Sequence, residues 1–73
     1  MKIYKQGKGK KQLITSTYNY TNDEQLRMDL DAFCMHSGKF GVTTIDSHEG
    51  NVVKLTFASV VIFDNPIHFI CEI

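Results

Sequence analysis

The chain has 73 residues, 42% of them hydrophobic and 22% charged, with eight basic and eight acidic side chains that cancel at pH 7. One small domain is the ceiling for so short a chain, and ordinary apolar content without net charge excludes wholesale disorder. No apolar run approaches the roughly 20 residues of a membrane-spanning helix, and no apolar stretch follows the basic residues 1–11 as a secretory signal requires.

The expectation is therefore a cytoplasmic protein with no membrane contact. A core this small is marginal, because burial at about 25 cal/mol per Å² is nearly offset by about 1.5 kcal/mol of ordering entropy per residue. The two cysteines, Cys34 and Cys71, each sit among apolar neighbours and read as reduced core residues rather than a disulfide. A marginal core without net charge favours a homo-oligomer or a partner-bound form.

Lys2, Lys5, Lys8, Lys10 and Lys11 open the chain, spaced by Gly7 and Gly9, with no acid before Asp23. A short strand over residues 2–6, a flexible turn, and a second strand over 11–20 rich in Thr, Ile and Tyr follow from this pattern. Thr21 with Glu24 three residues on fits a capping box, with Asn22 as the rival cap. Asp23 and Glu24 suit a helix N-terminus. Leu26, Leu30, Phe33 and Cys34 recur on one face, Asp23 and Arg27 stand at i, i+4, and Gly38 is a natural stop. These signals place a helix over residues 22–37. Met28, Ala32 and Met35 project nearly opposite its core stripe, where a helix on a single sheet should be polar.

Sheet-like alternation occupies the remainder. Strands are expected over residues 39–46, 51–58, 59–64 and 66–73, with a polar loop at 46–51 and a break at Asp64, Asn65 and Pro66. Short connections suit antiparallel neighbours. The fold class is therefore α+β: a mostly antiparallel sheet of four or five strands with a single helix packed on one face. Such a sheet leaves one face uncovered, where a second copy or another partner would bind.

Candidate chemistry is thin. Cys34, His36, His68 and Cys71 have the composition of a zinc site, but Cys34 and His36 diverge by about 200° on a helix, and His68 and Cys71 differ in strand parity. No metal or cofactor is expected. Apolar surroundings raise a thiol's pKa, which disfavours a cysteine nucleophile. Asp46, His48 and Glu49 bring titratable groups together, as acid–base sites do, yet a solvated loop has the same composition. Ligand sites need hundreds of Å³ of concavity, hard to build at this size, so no enzyme is expected. Residues 7–11 lack the spacing of a phosphate-binding loop. Asn19, Tyr20 and Thr21 match a glycosylation sequon, without consequence in a protein that is not secreted.

Two partner classes remain. Lys5, Lys8, Lys10 and Lys11 with Tyr18 and Tyr20 resemble the basic and aromatic arrangement of single-strand nucleic-acid binders. Against that, residues 21–37 carry a net charge of −3 and 38–73 of −2, cancelling the +5 of residues 1–20. The favoured expectation is a non-catalytic protein–protein interaction module that blocks a partner surface. Its binding residues would be Asp23, Glu24, Met28, Asp31 and Met35, with the acidic helix steering docking. Small inhibitors from viruses and mobile elements have this profile, an analogy with no motif behind it. The alternatives are a nucleic-acid binder and an obligate homo-oligomer with a structural role.

Overall fold

The computed structural model describes residues 1–73. Its elements are β1 (Lys2–Gln6), β2 (Lys11–Thr15), α1 (Asp23–His36), β3 (Gly41–Glu49), β4 (Val52–Ser59) and β5 (Ile67–Glu72). The strands form one sheet in the order β2-β1-β5-β4-β3, antiparallel at every junction. This is an α+β fold with one helix against a five-stranded antiparallel sheet. The last strand, β5, is inserted at the centre of the sheet, which ties the first hairpin to the second.

Alternation divides the sheet as a half-buried antiparallel strand requires. Val53, Leu55 and Phe57 of β4, Phe69 and Cys71 of β5, and Ile3 of β1 are buried against Leu26, Leu30 and Cys34 of the helix. The helix packs mainly on β3 and, to a lesser extent, β4. Met1, Ile14, Tyr18, Tyr20, Phe33, Ile45 and Ile67 complete the core's margin.

The helix start differs from the expectation. Asn22, not Thr21, is the cap: its side chain accepts the Gln25 N–H at 2.8 Å. Glu24 is thereby released from a capping box and binds Arg27, at 2.6 Å between Oε1 and Nη2. Arg27 is therefore not the partner of Asp23. At the other end Lys39 N–H reaches Cys34 O and Gly38 N–H reaches Met35 O, both at 2.9 Å. With Gly38 at φ +82, this is the paired-bond helix stop that glycine favours.

Three strand limits also differ. The strand expected over 11–20 ends at Thr15, whose hydroxyl accepts the Thr17 N–H at 3.3 Å and so draws the backbone into a local bond. Residues 46–49, expected as a loop, belong to β3. A register shift between Ile45 and Ser47 carries the strand past a bulge, and only Gly50 (φ +58) and Asn51 form the turn. Residues 60–64, expected as strand, form a turn instead. The Ser59 hydroxyl accepts the Val61 N–H at 3.1 Å, and Asp64 N–H bonds Val61 O at 3.1 Å. Because Phe57 already pairs with Ile67, the intervening residues must reverse the chain and have no strand to join.

Candidate docking surface

Register fixes which loops meet. Gln6 stands opposite Lys11, Gly41 opposite Ser59, and Phe57 opposite Ile67. One end of the sheet therefore gathers three connections: the lysine-bearing turn at residues 7–10, the helix exit at 37–40, and the β4–β5 turn at 60–66. The chain's N-terminus and the β3–β4 turn lie at the opposite end.

This shared end is apolar and open. Val60, Val61, Ile62 and Phe63 are all exposed, Ile62 at 87% and Phe63 at 90%. Phe40 is 59% exposed, and its carbonyl accepts the Val60 N–H at 2.8 Å, so the patch runs on from the turn into the start of β3. Met35 shares a surface hollow with Phe40, and Val42 is half exposed on the sheet face away from the helix. Local sequence forces the arrangement. Gly41 lets β3 approach β4 so closely that a Cβ there would stand 2.1 Å from Ala58 O and 2.8 Å from the Phe57 ring.

Met28 and Met35, expected on the helix's outer side, are both about half exposed. The acids expected beside them are largely committed within the fold. Asp23 accepts from the Tyr20 hydroxyl at 2.6 Å and lies 2.9 Å from His48 Nδ1. Those two bonds, Tyr20's the larger influence, hold its carboxyl below the usual carboxylate range, and the bond to Asp23 followed by burial pushes the Tyr20 phenol up. Glu24 is lowered by its bond to Arg27. Asp31 accepts the Thr43 N–H at 2.7 Å.

The lysine and tyrosine set is divided. Lys8 and Lys10 are exposed in the turn at the apolar end, and Lys5 borders a cavity of about 230 Å³ that also reaches Phe33, Cys34 and Lys39. Lys11 is drawn onto the uncovered face, 2.7 Å from Glu72 and 4.3 Å from the centre of the Tyr4 ring. Tyr18 and Tyr20 pack on the core, and the Met1 amine donates to Tyr18 O at 3.1 Å. The tyrosines therefore stand at the end of the sheet remote from Lys8 and Lys10.

The uncovered face is mixed: Leu13 and Val42, each about half exposed, lie on it among Lys54, Thr56, His68 and Glu72. Thr56 donates to Asp46, and His68 Nδ1 lies 3.1 Å from Thr56 Oγ1. With the hydroxyl proton directed at Asp46, the imidazole nitrogen can only donate to Thr56. Asp46, His48 and Glu49 do not converge: Asp46 bonds Thr56, and His48 bridges Asp23 and Gly50 O. Cys34 and Cys71 are buried free thiols, pushed up by burial, Cys71 to about 12. Neither shares a cluster of three or more metal-binding side chains with His36 or His68. No helix is long and apolar enough to cross a membrane.

The exposed apolar end at residues 60–63 and Phe40 is not used by the fold itself. Comparisons with protein families, curated proteins and solved structures return no match to the chain.

Proposed function

We propose that this protein is a non-catalytic interaction module that binds a protein partner through the apolar end formed by Met35, Phe40 and residues 60–63. The observation that carries this reading is the run of four consecutive exposed apolar residues at 60–63, continuous with Phe40. Monomers rarely leave more than about 300–600 Å² of contiguous apolar surface in water. Residues 60–63 with Phe40 expose on the order of 700 Å², taking about 200 Å² for each fully exposed large apolar residue. A role as a partner-blocking inhibitor in the cytoplasm suits so small a chain, because occupying a surface demands no cleft.

The helix's outer face contributes through Met35, whereas Asp23, Glu24 and Asp31 act first within the fold. The test is a tagged pull-down with nuclease treatment, comparing three folded forms. Native protein and the Lys8→Glu/Lys10→Glu variant retain the same protein partner, and Ile62→Asp/Phe63→Asp loses it. Retention by the Ile62→Asp/Phe63→Asp variant would contradict the reading. A bound nucleic acid lost on nuclease treatment would favour the lysine turn instead.

A further inference from the structure

We infer that the partner seated on the apolar end is a second copy of this chain, in a two-fold dimer that packs turn against turn rather than strand against strand. The inference rests on the proposed docking reading and names its occupant.

Area is the first argument. A standard interface buries about 600–1,000 Å² on each partner, and residues 60–63 with Phe40 supply on the order of 700 Å². Every molecule carries the patch, and a two-fold axis joins a surface to itself without further complementarity. The chain's zero net charge offers no overall repulsion to keep free copies apart.

The mode follows from the longer of the two free sheet edges, since the other, β2, offers only five residues. The outer edge of β3 is the longest free edge, yet the helix closes it at its middle. Asp31 accepts the Thr43 N–H at 2.7 Å, and Arg27 Nη1 donates to Thr43 O at 3.3 Å. A few residues on, the bulge at Asp46 interrupts the ladder. Extending the sheet from β3 would require breaking both helix bonds. The turn at 60–63 requires nothing to move.

Charge gives the proposal a signature. Lys8, Lys10 and Lys39 stand near the patch in none of the chain's ion pairs, and Asp64 is the acid in the same turn. A two-fold contact brings two such basic rims together. Association therefore strengthens as salt screens them, opposite to an apolar-and-basic surface docking on an acidic protein or anionic lipid.

Sedimentation equilibrium of the full chain at low and high salt tests this, with circular dichroism to confirm that each variant is folded. The expected result is a dimer that tightens with salt. Ile62→Asp/Phe63→Asp weakens it at least tenfold, and Met28→Asp, off the patch, leaves it unchanged. If Ile62→Asp/Phe63→Asp does not fold, Ile62→Ser/Phe63→Ser replaces it in the same comparison. A monomer at high micromolar concentration would overturn the second copy as occupant while leaving the docking reading to the pull-down. A dimer indifferent to the substitutions would overturn the surface itself. Cosedimentation of a monomer with phosphatidylserine-containing vesicles, lost on the same substitutions, would assign the patch to lipid and overturn the dimer.

Discussion

Asp31 closes the outer edge of the sheet at Thr43, accepting that residue's main-chain N–H at 2.7 Å while Arg27, one turn earlier, donates to its carbonyl at 3.3 Å. Two helix side chains thus occupy both main-chain groups that Thr43 would offer a sixth strand. Asp31→Ala leaves the Thr43 N–H without its acceptor and costs about 1–3 kcal/mol. Asp31→Asn, which keeps an acceptor, recovers part of that. Urea denaturation measures both, and an Asp31→Ala midpoint equal to the native one would contradict the role.

The same residue carries a polar atom with no use. Thr43 Oγ1 is buried with no hydrogen-bond partner, and the residue is 0% exposed. Thr43→Val keeps the shape and removes the orphan hydroxyl, so stability stays level or rises by about 1 kcal/mol. A midpoint clearly below native in thermal denaturation would reveal a partner for that hydroxyl.

Gly41 positions the apolar end by close approach, not by an unusual backbone angle. A Cβ at 2.1 Å from Ala58 O forces β3 away from β4, so Gly41→Ala destabilises by about 2 kcal/mol or more. The change also displaces Phe40 and weakens partner capture. An alanine variant with native stability would show that the two strands have slack there.

Acid stability follows from three lowered carboxyls: Asp23 by Tyr20 then His48, Glu24 by Arg27, and Glu72 by Lys11. Each has a folded pKa below its unfolded value of about 4. Their contribution is present above that value and is lost as pH falls through the folded one. Denaturation midpoints measured from neutral pH downward should fall below about pH 4. They should fall less steeply in Asp23→Asn, whose missing carboxyl no longer takes up a proton on unfolding. An unchanged slope would detach Asp23 from acid unfolding.

Burial governs the thiols. With Cys71 pushed up to about 12 and Cys34 also raised, neither presents thiolate at mildly alkaline pH. Alkylation by iodoacetamide should proceed only as fast as the chain unfolds and be rapid in urea. Fast modification of the native protein would mean that one of the two is reached by solvent.

Much of this fold was readable from spacing. The helix announced itself through Leu26, Leu30 and Cys34 at a helical period and through Gly38 as a stop. β4 did so through Val53, Leu55 and Phe57 alternating with polar residues. What escaped was decided by tertiary competition. Thr21 and Asn22 are both competent caps, and only the bond to Gln25 N–H separates them. Residues 46–49 lack an apolar alternation because they extend an edge strand past a bulge. The apolar end was the larger omission. Residues 60–63 have the composition of a buried strand, but Ser59 and the Asp64, Asn65 and Pro66 break bracket them too closely for one. Bracketed apolar runs of four residues are turns when the flanking strands pair with each other, which composition cannot report. The acidic helix was legible as a charge pattern; its internal bonds to Tyr20, Arg27 and Thr43 were not.

Amide hydrogen exchange read by mass spectrometry, comparing the isolated chain at low concentration with its captured complex, tests the docking surface most directly. The account predicts slowed exchange in peptides covering residues 40–42 and 60–66. Protection confined to α1 or to the lysine turn, with residues 60–66 still exchanging freely, would contradict it.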